Sequence, residues 1–397
     1  MVNYDFLSVY FYSVPNLRFS QFIEPWSNYV VSELLSTFPT NSLSWDQLTN
    51  KQDSSLKNLH YGLIHNGFAM TCITGDNQLF PYIKHSFIPT KYALIQNGDL
   101  ILADASEDRK DVGRPVEMLD IRNQKIVSGL HTIHARNKTD LIANGFKGFY
   151  FQSSAMKQQI FKIANGSKIY GISSSAFNEL KMSIPEKKEQ KKIVDLMIKI
   201  EERILTQIKI IDSYFSLSKA ISNTLIGQSK GNTRLRECLN CYSSNTMESV
   251  IKQEDLGDYP VYGANGIIKK INNYEIEYPS IAIVKDGSGV GKIFKLSGKY
   301  SILSTLNYLT SKPGYDIDYI YYALKQKSLK KYVVGSGIPH IYFKDYEQEK
   351  IYIPQNELQQ HNITSVLQSI DEEIGNEIKQ LKNYELLKKY LLKNMFV

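Results

Sequence analysis

The sequence has too few cysteines and apolar runs to fit several classes of protein. It contains three cysteines in 397 residues, which cannot make a disulfide framework. Cys238 and Cys241 form a single Cys-x-x-Cys pair with no second pair to complete a zinc site. No run of 18 or more apolar residues is present, as a membrane-spanning helix requires. We therefore expect free thiols, no metal site and no membrane segment.

The sequence also lacks the motifs of common catalytic sites. We find no Asn/Asp-Pro-Pro-aromatic motif of amino-methyltransferases and no serine elbow. Residues 287–292 resemble a phosphate-binding loop, but Asp286 replaces its first glycine and Ile293 its final serine or threonine. His131 and His134 are three residues apart, and on a strand such residues point to opposite faces. We expect a non-catalytic chain that binds no cofactor of its own.

The start of the chain and its charge narrow the class further. The first dozen residues are aromatic but have no basic region and no small-residue cleavage site, so we expect no signal peptide and a cytoplasmic protein. The net charge is +7, and no segment forms a basic tail. This balance is compatible with DNA binding and predicts that the chain alone holds DNA weakly and in a salt-sensitive way.

The most informative feature present is an internal repeat. Residues 184–226 match residues 353–396, with a constant offset of 170 from Gln190 and Gln360 onward. Apolar residues recur in both copies at three- and four-residue steps, which predicts two long amphipathic helices. Residues 190–226 alone would form a helix of roughly 55 Å.

Such helices need a partner for their apolar faces. We expect the two copies to pack antiparallel as a coiled coil, the alternative being that each helix covers only its own domain. The residues expected to pack this helix pair are Ile193, Ile200, Ile204, Ile211, Tyr214, Ile363, Ile370, Ile374, Leu381 and Tyr384.

The segments between the helices have short apolar runs, many tyrosines and turn residues. Runs at 100–104, 280–287 and 292–298 predict strands of α+β domains. The repeat continues here. Residues 98–104 followed by Gly113 and Arg114 parallel residues 280–286 followed by Gly291 and Lys292, and residues 31–35 parallel 235–239.

The predicted fold is therefore α+β, with two globular α/β-mixed domains joined by two long antiparallel helices and related by a pseudo-twofold repeat. We place the first globular domain at residues 1–183 and the first helical region at 184–230. The second globular domain spans 231–351, and the second helical region spans 352–397.

The candidate DNA-binding residues lie in loops that contain arginine and lysine. Arg109, Lys110 and Arg114 stand among acidic residues, so their loop either contacts DNA or neutralises itself. The turn at 286–292 offers backbone N–H groups, Ser288 and Lys292 to a phosphate or a base edge, unless it is a plain hairpin. The other candidates are Arg136, Asn265, Lys269, Lys270, Lys285, His340 and Lys344. A solvated turn explains Asn265, Lys269 and Lys270 equally well. Packing of the domain onto the next helix explains His340 and Lys344 equally well.

The chain resembles the specificity subunits of type I restriction–modification systems over essentially its whole length. Residues 14–26, VPNLRFSQFIEPW, are similar to that family's opening. Ile184-Pro185 with Glu189-Gln190, and Ile353-Pro354 with Leu358-Gln359, resemble the motif before each conserved helix, although the family usually has Glu at the position of Leu358. Segments that resemble two kinds of target-recognition domain are 103–118, 128–136, 259–268, 285–294 and 336–345.

The resemblance implies a DNA-recognition scaffold in which each globular domain reads one half of a bipartite, asymmetric sequence. It implies that the helices set the spacer and dock two methyltransferase subunits, which bind S-adenosylmethionine, and that restriction subunits join for cleavage driven by ATP with Mg. Two alternatives stay open: the recognition subunit of a combined restriction–methylation (type IIB-like) enzyme, and a coiled-coil protein scaffold that does not bind DNA.

Overall fold

The computed structural model describes residues 14–75, 80–251 and 257–397. The chain forms two units, of which the first comprises Met1–Lys209 with Lys379–Val397 and the second comprises Ile210–Ile378. The first dozen residues, for which we predict no signal peptide, lie outside the described residues. Within the described ranges, no helix is long and apolar enough to cross a membrane.

Ten α-helices and 22 strands are present in the described part of the chain. The helices are α1 (Val31–Leu34), α2 (Tyr61–Asn66), α3 (Phe146–Gln152), α4 (Ser154–Ile163), α5 (Ser174–Asn178), α6 (Lys187–Ser222), α7 (Leu235–Cys238), α8 (Ile317–Lys325), α9 (Phe343–Tyr346) and α10 (Glu357–Asn394). A π-helical turn, Asn223–Gly227, extends α6, and 3₁₀ turns lie at Trp45–Gln47, His85–Phe87, Glu248–Val250 and Leu329–Tyr332.

The strands of the first unit are β1 (Ser27–Val30), β2 (Leu35–Phe38), β3 (Leu48–Thr49), β4 (Leu56–Leu59), β5 (Cys72–Thr74), β6 (Tyr82–Ile83), β7 (Leu100–Ala103), β8 (Ala105–Ser106), β9 (Pro115–Asp120), β10 (Lys125–Ser128), β11 (Thr132–Asn137), β12 (Tyr170–Gly171) and β13 (Lys181–Ile184). Those of the second are β14 (Thr233–Arg234), β15 (Leu239–Ser243), β16 (Tyr259–Gly263), β17 (Gly266–Ile271), β18 (Ser280–Val284), β19 (Ile293–Leu296), β20 (Ser301–Ile302), β21 (Leu306–Ser311) and β22 (Lys350–Ile351).

The central sheets of the two units have the same antiparallel order. It is β2-β11-β7-β9 in the first unit, with β5 added at the edge, and β15-β21-β18-β19 in the second. Strands β7 and β18 lie where the runs at 100–104 and 280–287 predict strands; both are fully buried, and all their residues except Ser280 are apolar. The predicted repeat therefore extends from the helices into the sheets.

The units differ outside this shared sheet. The first contains a four-stranded sheet in the order β10-β4-β6-β3, whereas the second contains a three-stranded sheet in the order β17-β16-β20. These parts have no counterpart in the sequence repeat. The divergence between the globular domains is thus concentrated in added sheets and loops.

The short helices α1 and α7 confirm the weak match between residues 31–35 and 235–239. The carboxylate of Glu33 accepts a hydrogen bond from the backbone N–H of Val30 at 2.7 Å. The carboxylate of Glu237 accepts the equivalent bond from Arg234 at 2.9 Å. Acceptance of an exposed N–H by a glutamate in the first turn stabilises a helix start, which explains why this glutamate recurs.

The long helices help to complete the core of each unit. In the first unit, Val194 and Met197 of α6 belong to the same buried cluster as Leu391 of α10 and Phe146 of α3. In the second unit, Ile363 and Leu367 of α10 join the cluster formed around Ile281 and Tyr319. The start of α6 and the end of α10 therefore share the first core, and α10 also enters the second, so the alternative in which each helix covers only its own domain is wrong.

The predicted packing residues of the helix pair are all removed from solvent to some degree. Ile193, Ile200, Ile211, Ile363 and Ile374 are buried, and Ile204, Tyr214, Ile370, Leu381 and Tyr384 are half-buried. Several other apolar residues of the two helices are exposed instead. These are Ile208, Ile210, Phe215, Leu217, Leu358, Val366, Ile378, Leu386, Leu387 and Tyr390. The helices thus retain apolar surface beyond what the unit cores bury.

A buried carboxylate fixes the two helices and the globular part of the first unit together. Glu201 of α6 is 1% exposed and accepts bonds from the backbone N–H of Thr71 at 2.9 Å and from Lys388 Nζ of α10 at 2.6 Å. Near the start of α6, Arg18 donates two bonds of 2.7 Å to Glu189, which is fully buried. Arg18 belongs to the VPNLRF opening, and this ion pair gives that segment a structural role.

The second boundary motif is shifted by one residue from its predicted position. Gln360, which is 5% exposed, donates to the carbonyl oxygen of Pro354, just as Gln190 donates to that of Pro185. The structural counterpart of Glu189-Gln190 is therefore Gln359-Gln360 and not Leu358-Gln359. This agrees with the offset of 170 and corrects the apparent departure at Leu358, because the residue in the place of Glu189 is Gln359.

Candidate nucleic-acid interface

Two equivalent hairpins present the predicted basic loops. In the first unit, the N–H of Gly113 donates to the carbonyl of Ala103 at 2.9 Å, and the N–H of Ala103 donates to Arg114 at 3.0 Å. In the second, Gly291 donates to Val284 and Val284 donates to Lys292, both at 2.9 Å. We call residues 104–112 the first hairpin loop and residues 285–290 the second hairpin loop.

The glycines are required at the ends of these loops. Gly113 has a φ of +74° and Gly291 a φ of +82°, a left-handed conformation that side-chain-bearing residues rarely adopt. Each glycine turns the chain so that the following basic residue, Arg114 or Lys292, stands directly before the second strand of its hairpin, β9 or β19. The predicted correspondence of a glycine followed by a basic residue thus reflects the same backbone hydrogen bonds in both units. We call this pair of bonds the frame of each hairpin loop.

The first hairpin loop is braced by a histidine that the sequence analysis did not select. His65 Nδ1 lies 2.7 Å from Asp111 Oδ2, and His65 Nε2 lies 3.0 Å from the carbonyl oxygen of Ala105. Both partners are acceptors, so both bonds exist together only when the imidazole is protonated. The hydrogen bond with Asp111 raises the pKa of His65 and lowers the pKa of Asp111.

The basic residues of this loop lie beside lysines and an aromatic ring of α4. The guanidinium carbon of Arg109 lies 4.4 Å from the centre of the Phe161 ring, a cation–π distance. Lys110 lines a cavity of about 590 Å³ together with Lys157 and Lys162. Burial lowers the pKa of Lys157. Three lysines around one concave surface favour binding of a polyanion.

A second cavity, of about 490 Å³, is lined by other residues of the same loop. Its lining comes from five segments and is mostly aromatic or polar, with one exposed isoleucine; it includes Trp45, Tyr61, His65, Asn66, Asp108, Asp111, His131 and Ile169. His131 lies 3.4 Å from Asp104, at the start of the loop. The first hairpin loop therefore borders both a basic cavity and a mixed aromatic one.

Arg136 differs from the other predicted residues, because its guanidinium pairs with a carboxylate in the interior of the first unit. It donates two bonds of 2.7 Å to Asp99, which is fully buried, and lies over the ring of Phe38 at 4.5 Å. Burial alone would raise the pKa of Asp99, but hydrogen bonds from Arg136 and His134 outweigh it and lower that pKa. Arg114, in contrast, remains 37% exposed beside Asp111.

The second unit brings three segments together at its hairpin loop. The side chain of Lys292 donates to Asn265, at the tip of the β16–β17 hairpin, at 3.3 Å. The backbone of Asp286 forms a β-bridge with His340, and Gly287 donates to the carbonyl of Pro339 at 2.9 Å. Ser288 at the tip of the loop is exposed. Sequence positions 265, 288, 292 and 340 thus form one surface.

The other candidates of the second unit surround this surface. Lys285 bonds through its backbone to Ile341 at 2.9 Å, and its side chain is half-buried. Lys344 lies over the Tyr342 ring at 5.4 Å, and that ring contacts His340 at 5.0 Å. Lys269 and Lys270 lie on β17, opposite Val261 and Pro260 and away from the hairpin tip. They extend the basic surface without joining its centre.

We also looked among the described residues for metal clusters and reactive thiols. Within them, no group of three or more His, Cys, Asp or Glu side chains is placed to hold a metal ion. The three cysteines are free, and burial raises the pKa of Cys241 to about 11 and that of Cys238 to about 12. Such thiols are protonated at neutral pH and are poor nucleophiles.

Comparisons with known proteins agree with the repeat. A family model described as type I restriction modification DNA specificity domain matches residues 82–211 and again residues 233–383. The chain is 34% identical over 169 residues to the type I restriction enzyme MjaVIII specificity subunit of Methanocaldococcus jannaschii, a match that spans 39% of each chain.

Two solved structures share the fold. One is the S subunit of a type I restriction-modification system from M. genitalium, with a TM-score of 0.63, 16% identity and coverage of 97% of this chain and 99% of that one. The other comes from a study of complex assembly and conformational transition of the type I R-M system, with a TM-score of 0.57, 14% identity and coverage of 92% and 96%. These similarities confirm the predicted architecture of two globular domains with long helices.

Proposed function

Because the chain belongs to the type I restriction–modification DNA specificity family, we propose that it reads a bipartite, asymmetric DNA sequence, one half with each unit, and holds the subunits that act on it. Specificity subunits of this family are non-catalytic, so the chemistry would reside in partners. The chain's own contribution is the choice of sequence and the spacing between the two half-sites.

The observation that carries this proposal is the repeated hairpin frame with unlike loops. Gly113 and Gly291 close their loops through the same backbone bonds, yet one loop is acidic and basic while the other is rich in glycine. Equal frames with different side chains are what two reading heads for two different sequences require. A duplicated protein-binding module would instead be expected to keep its loop sequences alike.

Within each unit, positioning and reading would fall to different residues. Arg109 and Lys110, with Lys157 and Lys162 beside them, supply charge for backbone phosphates in the first unit. In the second, Lys292 and Asn265 lie together, so that the ammonium group can contact a phosphate while the amide offers its donor to a base edge. Arg136 contributes indirectly, by ordering the sheet through Asp99.

The long helices would dock the partners and fix the spacer. Each unit leaves apolar residues of its helix segments exposed, Leu386 and Tyr390 in the first and Phe215 and Leu217 in the second. We assign these residues to the docking of two methyltransferase subunits that bind S-adenosylmethionine. Each would flip an adenine out of one half-site, since its chemistry cannot reach a stacked base. Restriction subunits would then join and cleave DNA with ATP and Mg.

The decisive experiment is single-molecule sequencing of genomic DNA from cells that express this chain together with its methyltransferase, compared with cells that lack only this chain. N6-methyladenine in a split, asymmetric motif that disappears with the gene is the expected result. Unchanged methylation, combined with no shift of genomic DNA fragments by the purified complex, would contradict the proposal and favour a protein scaffold. A partner chain that carries both cleavage and methylation would favour the combined restriction–methylation enzyme.

A further inference from the structure

Each unit carries a second repeated loop, which lies beside its hairpin loop. Residues 165–171, NGSKIYG, and residues 334–340, VGSGIPH, share the pattern Gly-Ser-x-Ile. We call them the first and second tip loops. Asn165 and Gly171 exchange backbone bonds of 3.0 and 2.8 Å, and Val334 and His340 exchange bonds of 2.9 and 2.8 Å. The two loops are therefore closed in the same way.

Both tip loops are hydrogen-bonded to the start of a hairpin loop. The N–H of Ile172 donates to the carbonyl of Asp104, and the N–H of Ile341 donates to that of Lys285, both at 2.9 Å. The pairing continues between β8 and β12 in the first unit and between Asp286 and His340 in the second. Each tip loop consequently belongs to the same surface as the basic hairpin loop.

An isoleucine projects from the same place in both tip loops. Ile169 is 63% exposed and Ile338 is 71% exposed. Ser167 and Lys168 next to the first, and Ser336 and Gly337 next to the second, are exposed as well. The units differ in their added sheets and hairpin loops, so packing alone gives no reason for both to expose a large apolar side chain here.

We infer that Ile169 and Ile338 are specificity-determining residues, each of which contacts the 5-methyl group of a thymine in the half-site read by its own unit. This inference rests on the proposed function. Among the groups that bases present in the major groove, the thymine methyl is the apolar one, so it is the matching partner for an exposed isoleucine among polar readers. Each half-site must also contain an A·T pair, because an adenine in it is to be methylated.

The test uses the full chain with its methyltransferase and duplexes that carry the motif found by sequencing. Thymines of each half-site are replaced one at a time by deoxyuridine, which lacks only the methyl group. For the wild type, one replacement per half-site is expected to weaken binding several-fold. Ile169→Ala is expected to weaken binding about tenfold and to abolish the effect of the replacement in the first half-site alone. Ile338→Ala is expected to do the same in the second.

Each variant serves as the control for the other, and Ile23→Ala provides a control for loss of an exposed isoleucine elsewhere, since Ile23 is 81% exposed in the first unit. Wild-type affinity of both tip-loop variants would overturn the inference, and so would a loss that is the same for thymine and uracil duplexes. Loss of methyltransferase binding by Ile169→Ala would overturn it in favour of a protein contact. The test begins only after sequencing has found a split motif that the wild type methylates. Failure of the proposed function would therefore appear in that earlier experiment, and failure of this inference in the comparison of the variants.

Discussion

Gln190 and Gln360 make the same hydrogen bond at the start of the two long helices. The side-chain amide of Gln190 donates to the carbonyl of Pro185 at 2.7 Å, and that of Gln360 donates to the carbonyl of Pro354 at 2.8 Å. Both side chains are buried, so the bond replaces water that cannot reach the proline carbonyl. The Ile-Pro…Gln pattern thus has a structural cause: it ties the last residues before each helix to its first turn.

The two glutamines should differ in their contribution to stability. Gln190 makes two further bonds, donating to Leu141 and accepting from the N–H of Ala143. We expect Gln190→Met to lower the free energy of unfolding by about 2 to 3 kcal/mol and Gln360→Met by about 1 kcal/mol, because more buried polar groups lose partners in the first variant. Urea unfolding followed by circular dichroism checks this order. Equal losses in both variants would contradict it.

Lys388 should stabilise the first unit far more than its neighbour in sequence. It pairs with Glu201, which is 1% exposed, whereas Lys389 is exposed. Lys388→Met leaves a buried carboxylate without its cation and should cost about 2 to 3 kcal/mol. Lys389→Met changes the same charge at an exposed site and should stay within about 0.5 kcal/mol of the wild type. Thermal unfolding of both variants gives the comparison, and similar melting temperatures would show that the ion pair contributes little.

Lys292 should contact DNA in a way that depends on salt. Removing one lysine–phosphate contact reduces the magnitude of the slope of log affinity against log salt by about 1. We therefore expect Lys292→Gln to weaken DNA binding by the complex several-fold at physiological salt and to reduce the slope by about that amount. Lys299→Gln, at an exposed lysine of the same unit outside the three loop segments, is the matched control. An unchanged slope for Lys292→Gln would exclude a phosphate contact.

Recognition of the first half-site should weaken at high pH. The pKa of His65 is raised by its bond to Asp111, so the brace it provides is complete below about pH 6.5 and is lost as the pH rises through the raised value. We expect DNA affinity of the wild type to fall over that range beyond the change seen in His65→Gln. His361→Gln, at an exposed histidine of α10, should retain the wild-type profile. Superimposable profiles for the wild type and His65→Gln would contradict a role for this proton.

The spacer of the recognised sequence should follow the length of the helices. Insertion of seven residues both between Lys209 and Ile210 and between Ile378 and Lys379 lengthens each helix by about 10 Å, which corresponds to about three base pairs. We expect the methylated motif to keep both half-sites and gain a longer spacer. The same insertion in α6 alone should abolish methylation, because it puts the helices out of register. A double insertion that leaves the spacer unchanged would rule out a spacing role.

Much of this architecture was predictable because it depends on local pattern and repetition. The periodicity of Ile193 to Tyr214 predicts α6, and the apolar run before Asp104 predicts β7 with a polar loop after it. Gly113 and Gly291 were recognisable as corresponding positions because a left-handed turn selects glycine regardless of the neighbouring sequence. These features need only residues that are close along the chain.

The features that the sequence did not reveal depend on long-range contacts. The basic side chain of Arg136 suggests DNA binding, but its partner Asp99 lies 37 residues away in the sequence. The two side chains are brought together by the pairing of β7 and β11. Lys157 and Lys162 join Lys110 only because α4 packs beside the first hairpin loop. The Gly-Ser-x-Ile match between the tip loops was present in the sequence. A systematic comparison of the two halves at the offset of 169 would have found it.

The closed frame at Gly113 and Gly291 has a consequence for how such a protein can change over generations. Nine residues lie between the frame bonds in the first unit and six in the second, and the bonds are the same. The closure entropy of two such flexible loops differs by only a few tenths of a kcal/mol. Insertions and deletions inside the loop are therefore nearly neutral for folding. New binding preferences can be explored there by lineages of this gene without disturbing the sheet that every variant inherits.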